Sequence, residues 1–320
     1  MTQASGKDTP LAEAIKGTSL GRDAWLRLRK NSVAMGSLYF LALIILLCFV
    51  FAWFCKNPNT ILLTNKFASP SWQHWFGTDQ LGRDLFSRIL YGGQISLLVG
   101  FVATAVSLII GISYGAASGY AGAKTDALMM RIVDILYAIP FLILVIILKV
   151  VVAEPIDISA QWTVEQWGWN KELVMRSANI LPLFIAIGAL GWLTLARITR
   201  AQVIAIKNQE YIEAAISLGL TRRRILFRHI IPNTIGPAIV YASLTIPGFI
   251  LYEAALSYLG MGVEAPNSSW GILIKEGANF LETQPSLLII PGLVFSLTLF
   301  ALNFLGDGLR DAFDVRSSKD

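Results

Sequence analysis

Six apolar segments divide the chain, and each is long enough to cross a lipid bilayer, which takes about 17–25 predominantly apolar residues. They lie near residues 34–54, 95–119, 135–152, 179–196, 234–258 and 286–306. Polar stretches separate them, residues 1–33 precede them and residues 307–320 follow them. The pattern predicts an all-α polytopic membrane protein in which residues 34–306 form one domain of six transmembrane helices.

The distribution of basic residues predicts how this domain is oriented. If the N-terminus lies inside, the inner segments carry most of the 26 Lys and Arg residues, and such an excess is typical of cytoplasmic loops. Residues 1–33 are polar and longer than the charged start of a signal peptide, so we expect the first span to be a retained anchor. Residues 1–33, 205–233 and 307–320 are then predicted to be cytoplasmic.

Composition and motifs exclude several classes of function. The chain is 55% hydrophobic and 15% charged, whereas soluble domains carry about 25% charged residues. Cys48 and Cys55 are interpreted as small apolar residues, and His74 and His229 are predicted on opposite sides of the membrane. The chain contains no Walker A string (G-x-x-x-x-G-K-[ST]) and no H-E-x-x-H string. We therefore expect no catalytic residue, no metal site, no cofactor bound by this chain and no nucleic-acid partner.

The polar segment 205–233 is much longer than a turn between two spans requires. Its pattern predicts a helix, a glycine break, a second helix and a proline stop. Gly219 suits a left-handed residue after the first helix, Thr221 is predicted to cap the second, and Pro232 to end it for want of an amide donor. The polar face of the first helix comprises Glu210, Glu213 and Ser217, and its apolar face comprises Ile212, Ala215, Ile216 and Leu220. We expect a partner to dock there.

Three arginines, Arg222, Arg223 and Arg224, begin the second predicted helix. The first turn of a helix carries the positive end of the macrodipole, so each cation there is unfavourable by a few tenths of a kcal/mol, roughly. Local helix stability therefore does not explain these residues. Lipid phosphates and an acidic partner both remain as explanations.

The same segment carries the most specific resemblance in the chain. The pattern E-A-A-x-x-x-G, with a proline thirteen residues later, resembles the signature loop of permease subunits of bacterial ABC importers. The matching positions are Glu213, Ala214, Ala215, Gly219 and Pro232. The run R-H-I-I-P-N at 228–233 is similar to the branch that imports peptides and nickel. The resemblance covers roughly residues 74–314, and residues 1–33 carry no recognisable signature.

This resemblance implies a type I ABC importer-like transmembrane domain in the bacterial plasma (inner) membrane, surrounded by lipid. It also implies a second homologous permease subunit, two ABC ATPase subunits that hold ATP and Mg, and an extracytoplasmic solute-binding protein. Closure of the ATPases would push on residues 205–233 and switch the pathway between its two sides. The residues assigned to ATPase coupling are Glu210, Glu213, Ala214, Ala215, Gly219, Arg222, Arg223, Arg224 and Pro232.

Four residues in or near the spans are candidates for the pathway or its gates, namely Glu253, Asp134, Pro140 and Pro247. A charged side chain facing lipid costs about 2.5–3.5 kcal/mol or more, so Glu253 is expected to face the interior, water or the interface, with gating and packing both open. Asp134 is expected to pair with Arg131, and the prolines either line a pathway or bend their helices. Lys149 is expected to extend its ammonium outward to water.

Residues 55–94 form a predicted outer loop that contains a short element of Gly77, Asp79, Gly82, Arg83 and Asp84. One interpretation is a turn in which Asp79 or Asp84 caps the following helix. The other, which follows from the resemblance, is a structural element near the docking surface for a binding protein.

Two further patterns predict packing and surface contact. Gly111, Gly115 and Gly119 form a stripe that favours close approach of another helix. Residues 153–178 contain three tryptophans, Trp162, Trp167 and Trp169, and are predicted to be an insertion that lies along the membrane surface.

The function predicted from these features is a permease subunit that forms half of the pathway of an ATP-driven importer, with peptides as the expected solute. One alternative is a permease subunit for nickel or another small solute. Another is a secondary transporter driven by an ion gradient, which predicts mid-membrane carboxylates and broken helices in repeated halves. An intramembrane enzyme and a non-transporting scaffold complete the alternatives.

Overall fold

A computed structural model describes residues 20–313, which contain eleven α-helices and no β-sheet. The predicted segments 1–33 and 307–320 therefore lie partly outside the described residues. The helices are α1 (Leu20–Leu28), α2 (Ser32–Phe49), α3 (Leu85–Tyr120), α4 (Ala123–Ala138), α5 (Phe141–Trp167), α6 (Lys171–Lys207), α7 (Glu210–Ser217), α8 (Arg222–Ile225), α9 (Ile231–Tyr258), α10 (Trp270–Ala278) and α11 (Ser286–Phe313). The predicted all-α class is confirmed.

Within the described residues, five helical stretches are long and apolar enough to cross a membrane, and six if one bent pair counts as a single span. The bent pair is α4 with α5, whose axes differ by 95°. The predicted third span, 135–152, straddles this bend. Pro140 causes the bend, because a residue that precedes proline is disfavoured in the helical region. Ile139 accordingly has an extended ψ of 133°.

The prediction that residues 153–178 lie along the membrane surface is wrong, because these residues continue two long helices. Helix α5 runs through Pro155 to Trp167, and α6 begins at Lys171. Gly168, at φ 62°, ends α5, and the Asn170 side chain caps α6 by accepting a hydrogen bond from Leu173 N. Gly168 enters the left-handed conformation without a steric penalty, which explains why α5 ends there.

The glycine stripe packs α3 against α6, as predicted. A Cβ at Gly111 would lie 2.8 Å from Leu195 Cβ, and one at Gly119 would lie 2.9 Å from Arg200 O. At Gly115 the added carbon would collide with Ala196 O. Because no side chain separates the two helices, their backbones approach closely along several turns.

The helical bundle has two ends, and each contains a short helix. We call them the α10 end and the α7 end. At the α10 end, Trp270 N donates to Ser96 Oγ of α3, and Leu85, Leu97, Ile250 and Trp270 belong to one buried apolar cluster. At the α7 end, Ile212 of α7 packs with Val203 of α6 and with Ile225 and Ile230.

Candidate functional site

The segment 205–233 contains the predicted first helix and glycine break. Helix α7 ends at Ser217, and Gly219 has φ 78°. Gly219 N donates to Ile216 O at 2.9 Å and Leu220 N to Ala215 O at 3.2 Å, so the left-handed residue satisfies carbonyls at the helix end. The Thr221 hydroxyl accepts from Arg224 N at 3.4 Å, which agrees with its predicted cap role.

The predicted proline stop is wrong, because the second helix does not end at Pro232. Helix α8 passes through a π-helical turn, Leu226–Ile230, directly into α9, so residues Arg222–Tyr258 form one helical stretch. Ile231 N donates to Leu226 O in this turn. Pro232 is the second residue of α9, and it follows the π-helical turn, where the hydrogen-bond pattern differs from that of an α-helix.

The apolar face of α7 differs from the predicted face at Ile216. Ile212 and Ala215 are buried, but Ile216 is 56% exposed. Positions 212 and 215 lie on one side of the helix, and this narrow stripe is what α7 buries. Four large apolar side chains of the segment are exposed, namely Tyr211, Ile216, Leu218 and Phe227.

The charged residues of this segment are exposed as well, and they include Glu210, Glu213, Arg222, Arg223 and Arg224. Ala214 is also exposed. None of the three arginines has an ion-pair partner among residues 20–313. The surface thus combines apolar side chains with charges of both signs, which suits a protein partner with a small complementary cleft.

A cleft of about 400 Å³ lies between α6, α9 and the bend that joins α4 to α5. Pro140 lines it, together with the aromatic rings of Phe141 and Tyr252, whose centroids are 4.5 Å apart. The polar side chains that line the cleft all carry hydroxyl groups and comprise Tyr137, Thr194, Tyr241, Thr245 and Tyr252. Among residues 20–313, no charged side chain lines it.

The structure does not bring the four predicted pathway residues together. Pro140 lines the cleft and Pro247 is buried in α9 next to Gly248, which also lines it. Asp134 does not pair with Arg131 as predicted but with Arg197, at 2.7 Å. Helices α4 and α6 face each other here, so Arg197 also lies over the Tyr137 ring, 4.3 Å from its centroid.

Glu253 is fully buried, away from the cleft lining, and its contacts favour packing over gating. Its carboxylate accepts hydrogen bonds from Ser96 of α3 at 2.9 Å and from Ser257 at 2.7 Å. Ser96 also accepts from Trp270 N at the start of α10. Glu253 therefore connects α3, α9 and α10.

The outer-loop element forms a buried network. Asp79 accepts from Arg83 Nε at 2.6 Å and from Arg88 Nη1 at 2.7 Å, and Arg88 also bonds Glu276 of α10 at 2.5 Å. Gly77 and Gly82 have φ 80° and 72°. A Cβ at Gly82 would collide with Leu62 O, so glycine is required there by both conformation and space.

Asp84 is the cap of α3, as one interpretation of this element predicts. It accepts from Ser87 N at 2.9 Å and Ser87 Oγ at 2.7 Å. His74 Nδ1 lies 2.8 Å from its other oxygen, and both side chains are buried. The element therefore has a structural role in starting α3.

Among the described residues, several buried or partly buried polar contacts are not predictable from the sequence, and three examples involve charged side chains in or next to the spans. Arg88 bonds Glu276, which is remote in sequence. Asp126 accepts two hydrogen bonds from Arg200, both at 2.5 Å. Lys149 does not extend to water but is buried, and its ammonium donates to Met261 O and Gly262 O. A charged residue within an apolar run is the one available signal, and it does not reveal the partner.

Residues 107–319 match the family described as the binding-protein-dependent transport system inner membrane component. The chain belongs to this family. Residues 19–70 match the N-terminal transmembrane domain of oligopeptide transport permease C, which corrects the view that residues 1–33 carry no recognisable signature. The chain is accordingly a multi-pass permease subunit of the bacterial inner membrane, a role that favours the importer prediction over the ion-gradient alternative.

Relatives of high identity include two kinds of peptide permease. The oligopeptide transport system permease protein OppC of Haemophilus influenzae is 46% identical over 305 residues, which cover 94% of this chain and 90% of that protein. The dipeptide transport system permease protein DppC of Bacillus subtilis is 38% identical over 311 residues, with 95% and 89% covered. Among solved structures, an inward-facing MetNI methionine ABC transporter aligns with a TM-score of 0.49 at 18% identity, covering 69% of this chain and 94% of that one.

Proposed function

We propose that this subunit forms half of a peptide pathway and pairs with a second homologous permease. The transporter includes two ABC ATPase subunits, one of which docks at the α7 end of this chain in the cytoplasm, and a solute-binding protein delivers peptide at the α10 end. The names of the OppC and DppC relatives support peptide as the solute. The excess of Lys and Arg in segments at the α7 end supports the orientation.

The observation that carries the coupling proposal is the exposed helix α7 with its buried stripe. Ile212 and Ala215 attach α7 to the bundle, while Glu210, Glu213 and Leu218 remain exposed for a partner. The ATP and Mg belong to the ATPase subunits, because this chain has no Walker A loop. Movement of the ATPases then displaces α7 as a unit.

The continuous helix from Arg222 to Tyr258 provides a route from α7 to the cleft. Ile225 and Ile230 pack with Ile212 at one end of it. Farther along the same helix, Tyr241 and Tyr252 line the cleft. Displacement of α7 passes along this helix in the proposal, so a push on α7 repositions one wall of the cleft.

The cleft lining suits peptides of varied sequence. Hydroxyl groups donate to and accept from main-chain amides, and the absence of charged lining residues gives no preference for one side-chain charge. Uptake of radiolabelled peptide by the assembled transporter tests this assignment. Uptake of nickel, without competition by peptide, would instead support the small-solute alternative.

Gly219→Val tests the coupling proposal. A residue with a Cβ at φ 78° is strained by about 1–2 kcal/mol, yet an added Cβ has no heavy atom within 4 Å. We expect normal membrane abundance, weakened co-purification of the ATPase subunits, and transport that falls far more than abundance. Gly122→Val is the matched control, because Gly122 is exposed at the same end with φ −73° and free space around it. Unchanged association and transport in Gly219→Val would overturn the coupling assignment.

Cysteine labelling tests the orientation in a background of Cys48→Ser and Cys55→Ser. A membrane-impermeant thiol reagent should reach Gln166→Cys from outside and Asn208→Cys only after permeabilisation. Both positions are exposed, so a reversed pattern would refute the assignment of the α7 end to the cytoplasm.

A further inference from the structure

We propose that Lys149 is a latch that holds the α10 end of the cleft closed by binding the main chain beyond α9. This inference rests on the proposed transport function, since a latch matters where the pathway opens alternately to its two sides. Lys149 would be a positioning residue that acts through α5 and does not touch the solute.

The contacts of Lys149 are unusual for a lysine in a long apolar helix. Its Nζ donates to Met261 O and to Gly262 O, each at 2.9 Å, and the residue is 8% exposed. The carboxylate of Glu264 lies 3.8 Å away, but Glu264 is itself 68% exposed. The close partners of the ammonium are therefore carbonyl groups of the segment that follows α9.

The position of Lys149 along α5 relates it to the cleft. Phe141 contacts Tyr252 at the cleft wall. About one helical turn farther along α5, Val145 is fully buried in a cluster that includes Leu256 and Val263. Lys149 follows about one more turn on, and Val150 and Val151 next to it are exposed. Cleft, apolar contact and lysine thus follow one another toward the α10 end.

This arrangement suits a contact that breaks and re-forms. Burial of the Lys149 ammonium costs solvation free energy, and an apolar side chain at position 149 would leave the Met261 and Gly262 carbonyls without this donor. The two hydrogen bonds offset this desolvation cost only while both carbonyl groups lie within hydrogen-bond distance of Nζ. When α5 moves away, the ammonium is hydrated again. The bonds are short and directional, so a small displacement of α5 separates two distinct states.

The segment that binds Lys149 is fixed on its other side, so it offers a stable partner. Asn267 accepts from Arg176 Nε at 2.8 Å and donates to Arg176 O at 3.1 Å, which ties the segment to α6. Ser257 and Ser269 connect it to Glu253 and α10. In the latch, α5 near Lys149 is the element that moves against this segment.

Access to the cleft from outside tests the latch in the assembled transporter. In the Cys48→Ser and Cys55→Ser background, Thr245→Cys places a thiol in the cleft lining. A membrane-impermeant thiol reagent added to right-side-out vesicles labels it only when the α10 end opens. We expect Lys149→Met to raise the labelling rate roughly tenfold, since hydrogen bonds from a charged donor contribute enough to shift an equilibrium by that factor.

Three variants make the result specific. Lys149→Arg retains the charge and donors and should label like the parent, whereas Lys149→Gln should label faster even if Lys149→Met assembles poorly. Lys171→Met removes the same charge from an exposed position of α6 and should change nothing. Equal labelling rates in the parent, Lys149→Met and Lys149→Gln would overturn the latch, even with normal peptide uptake. Faster labelling in a transporter that takes up no peptide would support the latch and reject the proposed solute.

Discussion

The ion pairs Arg88–Asp79 and Arg197–Asp134 have the same nitrogen–oxygen distance, 2.7 Å, but very different surroundings. At the α10 end, the Arg88 and Asp79 side chains are 3% and 5% exposed. Those of Arg197 and Asp134, on α6 and α4, are 42% and 55% exposed. An exposed pair contributes about 0–1 kcal/mol, whereas loss of one partner of a buried pair costs about 3–5 kcal/mol. Equal geometry therefore does not mean equal importance.

The same contrast separates the two ends of the molecule. At the α10 end, charged and polar groups are buried and satisfied within the chain, as in the networks around Asp79 and Glu253. At the α7 end, Glu213 and Arg223 are exposed and lack ion-pair partners in the described residues. The charges of one end are thus satisfied within the chain, whereas the other end presents charged groups to its surroundings.

The largest expected effect comes from breaking the buried network. Arg88→Met leaves Asp79 and Glu276 with fewer donors inside the protein and should cost about 3–5 kcal/mol of stability. The matched control is Arg197→Met, which removes an exposed pair and should cost less than about 1 kcal/mol. Thermal unfolding of the purified protein in detergent compares the two. Equal melting temperatures would mean that burial does not separate these pairs.

The second comparison uses two glycines that share a positive φ. Gly82→Ala adds strain of about 1–2 kcal/mol and also a collision with Leu62 O, so membrane abundance should fall clearly. Gly219→Ala adds the strain alone, because its surroundings are open. Immunoblotting of membranes measures abundance. If Gly219→Ala lowers abundance as much as Gly82→Ala, the α7 end is more tightly constrained than its open surroundings indicate.

A third comparison concerns the two helix caps, whose removal is expected to cost less stability than the changes above. Asp84→Ala removes a buried cap and leaves His74 without its partner, a loss of about 1–2 kcal/mol. Thr221→Ala removes an exposed cap with a longer hydrogen bond, 3.4 Å, and should cost about 0.5 kcal/mol. Thermal unfolding distinguishes them, and the reverse order would contradict the role of burial.

Sequence reasoning succeeded where a local rule decides the conformation. Gly219 was expected in the left-handed region because it follows an amphipathic turn, and Asp84 was one of two expected caps for the same kind of reason. The glycine stripe at Gly111, Gly115 and Gly119 predicted close packing because small residues at four-residue spacing share one face. These features depend on a few neighbouring residues.

Sequence reasoning failed where distant partners or competing local rules decide. Pro232 is predicted to end a helix, but the helix continues through it after a π-helical turn. Lys149 was expected to reach water, yet carbonyl groups of Met261 and Gly262, far along the chain, bind it. The local pattern predicts that Asp134 pairs with Arg131, but its partner is Arg197 of α6. None of these partners is visible in the local pattern.

The smallest predicted effect concerns Glu213, whose side chain is exposed and has no hydrogen-bond or ion-pair partner that the structure shows within residues 20–313. Glu213→Ala should leave stability and abundance unchanged, because nothing inside the chain depends on the carboxylate. In the assembled transporter it removes one polar contact, worth about 0.2–1 kcal/mol, so ATPase co-purification should weaken by roughly fivefold at most. Glu172→Ala, an exposed glutamate at the far end of α6, is the control. If Glu213→Ala weakened association as severely as Gly219→Val, the side chain rather than the backbone path through Gly219 would position the docking surface.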